Sequence, residues 1–318
     1  MMRALVTGAA GFIGSHLLER CCELGLDVVG IDSFTDYYDE SLKRANLNEV
    51  RERFPSIEVV QADVLDVDLR HLLDGVDVVF HQAGQPGVRA SWGTTFESYL
   101  RHNVLATQRL LEACRSASVS RLVYASSSSI YGNAPAYPTS ERDLPCPVSP
   151  YGVTKLAAEH LCSLYAHNFG LPTVSLRYFT VYGPRQRPDM ATHRLIRSAL
   201  TSDEFCLFGD GSKIRDFTYV SDVVAANLAA ATADIPVGSV FNIAGGTSCT
   251  MLDLIGSVAS AVGTAPCVIR EADAVGDVKR TGGSTDRALE QLGWRPEVDL
   301  DEGVSRQADW MRQKGDAT

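Results

Sequence analysis

The sequence predicts an α/β protein, a doubly wound parallel sheet with a smaller, discontinuous C-terminal domain. Short β-branched runs alternate with longer helical patterns through residue 176. A glycine-rich run, Gly8-Ala9-Ala10-Gly11-Phe12-Ile13-Gly14, lies directly between the first apolar run and the first helical pattern. Beyond Gly183 the rhythm loosens into Gly- and Pro-bearing loops.

Strands are expected at 4–6, 28–31, 57–60, 78–80, 122–124 and 173–176, separated by segments long enough for crossover helices. The glycine run fits the first strand-to-helix turn of a Rossmann domain. There Gly8 permits the tight turn, Gly11 lets backbone approach a pyrophosphate, and Gly14 allows close helix packing. A diphosphate then rests on the helix N-terminus beside Phe12 and Ile13. The next apolar run ends in Asp32, placed to accept a hydrogen bond from the adenosine ribose 2′-hydroxyl or to cap the following loop. Either way its charge repels a 2′-phosphate, which favours NAD over NADP.

Further helices are expected at 94–116 and 151–168, where Leu100, Val104, Leu110, Leu111 and Cys114, then Val153, Leu156, Leu161 and Leu164, recur near helical spacing. Later helices are expected at 193–200, 222–231, 252–262 and 302–312. Residues 1–180 then form the cofactor domain, to which some later segments return, and 181–318 mainly a substrate domain, with a frayed end at 315–318.

Composition sets the class. With 318 residues, 45% of them hydrophobic and 21% charged, the chain can bury a sizeable core. A formal charge of −10 without any basic block argues against nucleic acid or an anionic membrane as partner. The eight cysteines lack zinc-ligand spacing and the seven histidines show no His-x-x-x-His pairing, so no metal site is assigned. No charged leader precedes the first strand and no apolar stretch approaches ~20 residues, which leads us to expect a cytoplasmic protein. His16 is read as a packed residue and His81 as orienting a strand-end loop.

Tyr151 and Lys155, four residues apart at the start of a helix, share one face. A phenol titrates near ~10, so an adjacent ammonium and an oxidised nicotinamide are needed before it can act as a base near neutrality. The run Ser126-Ser127-Ser128-Ser129 follows a strand, which puts a hydroxyl at the carboxyl end of the sheet, where such folds bind ligands.

With these residues in place the chain resembles the extended short-chain dehydrogenase/reductase family, specifically its nucleotide-sugar epimerases, dehydratases and decarboxylases. The likeness runs the whole length: the glycine turn, Asp32, Asp63-Val64, His81-Gln82-Ala83-Gly84, the serine run, Tyr151 and Lys155, Arg177-Tyr178-Phe179-Thr180, Gly183-Pro184-Arg185 and Arg215-Asp216-Phe217. It implies that Asp63 and Val64 hold the adenine, that Ala83 and Tyr178 line the cofactor site, and that Lys155 binds the nicotinamide ribose. It further implies Tyr151 as acid/base and Ser127 as its assistant, with Ser126 and Ser128 as alternatives in a degenerate run.

Such enzymes begin by oxidising the sugar at C4. The dehydratases resemble Thr-Asp-Glu before the Val-Tyr-Gly step, and the decarboxylases carry a glutamate two residues before that tyrosine; here the slots hold Ser128 and Ser129. Without those carboxylates the surviving outcome is C4 epimerisation. Arg89, Arg185, Arg187, Lys213 and Arg215 are candidate cations for phosphates and a sugar carboxylate, and Asp277 resembles a ribose contact. Glucose epimerases carry arginine where this chain has Ala274. The stretch from Tyr178 to Met190 resembles the UDP-glucuronate 4-epimerases, with Arg187 or Arg185 facing the C6 carboxylate and Thr180 nearby. The resemblance therefore implies a UDP-sugar substrate, most closely UDP-glucuronate, and a homodimer. UDP-glucose 4-epimerase, UDP-glucuronate decarboxylase and a non-enzymatic NAD sensor are the alternatives.

Overall fold

The computed structural model describes residues 2–117, 119–273 and 276–315; Ala274 and the end of the tail at 316–318 lie outside the described residues. Its strands are β1 (Arg3–Thr7), β2 (Asp27–Asp32), β3 (Glu58–Gln61), β4 (Val78–His81), β5 (Arg121–Ser127) and β6 (Thr173–Tyr178). They continue with β7 (Thr180–Tyr182), β8 (Glu204–Phe208), β9 (Ile214–Tyr219), β10 (Ser239–Ile243), β11 (Ser248–Thr250) and β12 (Cys267–Glu271). Seven form one sheet in the order β10-β6-β5-β4-β1-β2-β3, every pairing parallel. The order reverses beside β1, so the crevice at the carboxyl ends of β1 and β4 is the expected ligand position.

Side chains alternate across the strands, and both faces are covered. Ala4, Val6, Val78, Phe80 and Val123 point to one face, where the helices Phe12–Glu23 and Val220–Thr232 pack with Leu17, Leu18 and Val223. Leu5, Val29, Val79 and Leu122 point to the other, against Leu110 and Cys114 of the helix Ala106–Ser116 and Ala158 and Cys162 of the helix Pro150–Phe169. The strand β10 returns to the edge of this sheet beside β6 after the chain has left it. The remaining strands form the small sheets β11-β9-β7 and β12-β8. They adjoin the helices Ala191–Thr201, Met251–Val262 and Leu300–Lys314. Among the described residues no helix is long and apolar enough to cross a membrane.

Two departures from the sequence pattern matter for function. The helix expected at 94–116 contains a six-residue π-type stretch, Leu100–Leu105, before the helix Ala106–Ser116. Such widenings recur at functional sites, and this one carries the buried Asn103. Strand β5 extends past its apolar run because Ser126 and Ser127 stay in register with Arg177 and Tyr178 of β6.

Buried polar groups tie these elements together. Thr7 Oγ1 accepts from the Ala83 N–H at 3.1 Å and donates to His81 Nδ1 at 2.8 Å. His81 Nε2–H donates to Thr107 Oγ1 at 2.9 Å, and Thr107 in turn donates to the Asn103 carbonyl at 2.7 Å. Every lone pair and proton in the chain is used only if His81 is neutral with its proton on Nε2. Burial agrees, pushing the imidazole down to about 3, with the Lys155 charge acting in the same direction.

A histidine held down in the folded state contributes stability present above its unfolded pKa and lost as pH falls toward the folded one. Between pH 6.5 and 3 the unfolded chain takes up the proton that folded His81 refuses. Urea unfolding should therefore show a loss of about 2 kcal/mol from His81 between pH 7 and pH 5. The His81→Gln variant should be weaker at pH 7 but have a visibly shallower pH dependence; equal slopes for the two proteins would contradict the neutral assignment.

Candidate active site

The glycine turn shapes the floor of the first pocket. Gly8 has φ +69, where L side chains are strained, and a Cβ there would lie 2.8 Å from the Ala83 nitrogen. A Cβ on Gly14 would sit 1.9 Å from the Gly8 carbonyl oxygen, which is why the helix can pack so close to its own turn. The helix Phe12–Glu23 opens on Gly11 with no side-chain cap and no acidic residue in its first turn. Its first N–H groups are left for an anion. Asp32 accepts from the Ala10 N–H at 2.9 Å and the Phe34 N–H at 2.8 Å, pinning the turn to the end of β2 while still lining the pocket. Asp63 accepts from Leu65 N–H, and Asp63, Val64, Ala83, Lys155 and Tyr178 complete the wall. A close glycine floor, an uncapped helix start and an acidic far end fit a dinucleotide.

Ser149 caps the helix Pro150–Phe169 by accepting from Gly152 N–H, and Pro150 occupies the first turn, where its missing donor costs nothing. That start puts Tyr151 and Lys155 on the pocket side. Asn103 fixes this helix to the rest: its side-chain carbonyl accepts from Gln85 N–H at 2.7 Å, and its amide donates to Gln85 O and to Thr154 Oγ1, both at 3.0 Å. Tyr151 faces the Ser127 hydroxyl. Burial raises its phenol above the ordinary value; Ser127 and the Arg187 charge pull the other way and do not overcome it. Lys155 is buried and held down to about 8 by desolvation, although Cys162 and Glu159 favour its charge.

Tyr151, Ser126, Tyr178, Tyr37 and Arg187 line both the first pocket and a second, larger one, so the phenol sits where the two cavities meet. The second cavity, about 590 Å³, is within the range of small-molecule sites. Ser127, Ser128, Thr180, Arg89, Arg215 and Asp277 line it. Behind the serines, Ser126 donates to Glu159 at 2.6 Å, and Glu159 is gripped by the buried Arg177 at 2.7 and 3.1 Å. Arg177 also donates to the Tyr131 hydroxyl, which donates to Asn242. Ser126 is thus engaged from behind, while the Ser127 hydroxyl, which accepts from Ser129 N–H, turns to the phenol.

The candidate cations divide. Arg89, Lys213 and Arg215 converge on Asp277, at 3.8, 3.1 and 2.5 Å. Arg187 lies at the junction of the cavities, its fork doubly bonded to Asp189 at 2.9 and 3.0 Å. Arg185 is brought elsewhere. Its φ of +61 turns the guanidinium away from both cavities into a buried pair with Glu19 and Glu49, each at 2.9 Å. His16 donates to the Pro184 carbonyl and is held down to about 4 by burial, with Arg185 adding to the effect.

Sequence reasoning passed over Asn103, Glu159 and Asn227, and noted Tyr37 only within Asp36-Tyr37-Tyr38 as part of the family likeness. The available signal was a polar residue on an otherwise apolar helical stripe, as Asn103 and Thr107 are. Tyr37 and Asn227 meet the site through contacts far along the chain, Tyr37 with Asp189 and Asn227 with Gln82 and Tyr178.

Residues 4–244 match the model of the NAD dependent epimerase/dehydratase family. The chain is 42% identical over 313 residues to the uncharacterized UDP-glucose epimerase YtcB of Bacillus subtilis (strain 168), covering 98% of each. It is also 42% identical to the UDP-glucuronic acid 4-epimerase of Bacillus cereus, solved in complex with UDP-glucuronic acid and NAD. The TM-score is 0.94, covering 98% of this chain and 100% of that one. MoeE5 in complex with UDP-glucuronic acid and NAD is 42% identical with a TM-score of 0.89, covering 98% and 99%. With its glycine turn, its Tyr151–Lys155 pair and this likeness over its length, the chain belongs to the NAD dependent epimerase/dehydratase family.

Proposed function

We propose that the protein is an NAD-dependent UDP-sugar 4-epimerase that interconverts UDP-glucuronate and UDP-galacturonate. The observation that carries this reading is the Tyr151 phenol at the junction of a dinucleotide-shaped pocket and a cation-lined cavity, with no free carboxylate beside it. Asp189 and Asp277 are the carboxylates that line the larger cavity among the described residues, and both are held by cations. A C5 proton or a C6 carboxyl group therefore has no acidic partner, which disfavours elimination and decarboxylation.

Gly8, Gly11, Phe12, Ile13, Gly14, Asp32, Asp63 and Val64 would hold the adenosine and diphosphate of NAD, and Ala83, Tyr178 and Lys155 its nicotinamide half. Bound there, NAD would supply a reversible hydride acceptor for the sugar C4. Tyr151 takes the C4 hydroxyl proton through its phenolate and gives it back after the sugar has presented its other face. Because burial raises the phenol, its ionisation depends on the Lys155 ammonium and the charge of the oxidised cofactor. Ser127 donates to the same oxygen and steadies it. Arg215, Arg89 and Lys213 meet the diphosphate, with Asp277 at the ribose. Arg187 meets the C6 carboxylate together with Thr180 and Ser128.

We assign 1–180, with the later helix Val220–Thr232 and β10, to cofactor binding, and 181–318 mainly to the nucleotide sugar. A homodimer is supported by large apolar side chains exposed at Leu100 and Leu105 and at Val153, Leu164 and Phe169 on the two neighbouring helical segments. Eight free cysteines suit a cytoplasmic setting.

Incubation with UDP-glucuronate and NAD should give UDP-galacturonate by NMR, with no UDP-pentose and no CO2. The Tyr151→Phe variant should lose roughly 10²–10⁴-fold in kcat while still binding NAD. Turnover of UDP-glucose alone would reassign the sugar.

The two arginines separate by their readouts. Arg187→Met should lower kcat/KM for UDP-glucuronate by roughly 10-fold or more, the worth of a charge-assisted hydrogen bond, and affect UDP-glucose less. Arg185→Met should leave that ratio alone and lower stability by about 1–3 kcal/mol, since it removes the buried partner of Glu19 and Glu49 and leaves them only Arg53 and Lys314.

A further inference from the structure

Lys155 has no hydrogen bond and no ion pair with any described residue, although its side chain is buried. Its ammonium instead stands 4.5 Å from the centroid of the Tyr124 ring. The ring points there because Tyr124 follows Leu122 by two residues on β5 and so shares the face packed by the helix Pro150–Phe169. His81 lies against the same ring, the centroids 5.7 Å apart and the planes tilted by 40°.

The other neighbours of the ammonium are spoken for. On its own helix, Glu159 is bonded to Arg177 and Ser126, and Cys162 is kept as a thiol because burial pushes it well up. Tyr151 is a phenol turned to Ser127, and His81 on β4 is neutral with both nitrogens in use. Arg187 and Tyr178, on the far side of the cavity, bond to Asp189 and to Gln82 and Asn227.

We propose that Tyr124 is a positioning residue for Lys155: its ring face holds the ammonium in place and charged at the depth where Tyr151 works. A desolvated cation over an aromatic face is held by the ring's negative face without needing a fixed acceptor. Lys155 thereby keeps all three of its protons free for the cofactor and the phenol. The Tyr124 hydroxyl plays no part, being buried without a hydrogen-bond partner.

This inference rests on the reading of Tyr151 and Lys155 given above. It is tested by replacing Tyr124 with phenylalanine and then with mono-, di- and trifluorophenylalanine, which keep the ring's shape and progressively remove its negative face. The kcat of the NAD-loaded enzyme on UDP-glucuronate is followed against pH. Tyr124→Phe should keep kcat within twofold and an unaltered profile. Along the fluorinated series the acid limb should move stepwise to higher pH, by half a unit to one unit at the end, with kcat at pH 7 falling accordingly and KM for the sugar nucleotide unchanged.

Tyr124→Leu should lose tenfold or more in kcat with the same upward shift, and its urea midpoint shows how much of any loss is packing. A flat fluorinated series, or a Tyr124→Leu loss with an unmoved limb, would overturn the role of the ring. An unsubstituted enzyme that turns over no UDP-sugar would instead overturn the functional reading.

Discussion

The buried polar chain from the Ala83 amide through Thr7, His81 and Thr107 to the Asn103 carbonyl is the constraint on which the site depends. It joins β1, β4 and the widened helical segment in one line of hydrogen bonds. Ala83 is also the residue against which the Gly8 turn packs, and the Asn103 side chain grips Thr154, one turn along from Tyr151. The floor of the cofactor pocket and the helix bearing the phenol are thus joined by one continuous line of hydrogen bonds. Because an unmet donor inside the core is costly, the chain is all or none, and a change at any link reaches both ends.

On that frame the electrostatics are arranged by pairing. Arg177 and Glu159 neutralise each other behind the serines, Arg185 is consumed between two helices, and Arg187 is balanced by Asp189. Lys155, beside the phenol, has no ion pair among the described residues, and on the function proposed above its charge is the one the phenol would need. A buried lysine is costly, and the site meets part of that cost with an aromatic face instead of a carboxylate. A carboxylate there would hold the ammonium more strongly but would also cancel the charge that the proposed mechanism asks of it.

Much of this was legible in the chain. The glycine turn, the strand rhythm and the Tyr151–Lys155 spacing are local, and local patterns survive folding intact. The strands of the second half were harder to see, since β7 and β11 are three residues long and β8 and β12 are half-exposed. The fates of the arginines were not legible at all. Arg185 and Arg187 stand two apart in one loop, and only a left-handed backbone at Arg185 decides that one turns into the fold and the other toward the cavities. Non-local partners also hid Glu159, whose place behind Ser126 depends on β5 and the following helix meeting face to face.

Arg89, Lys213 and Arg215 gather round Asp277, a carboxylate carried on a loop of the smaller domain. The cluster holds its own anion, so its positive charges are already gathered in one place. On the function proposed above, an incoming diphosphate would trade places with a tethered group of like sign, and that group would be released next to the ribose. The same exchange run backward would let the finished nucleotide go, with Asp277 refilling the cationic seat.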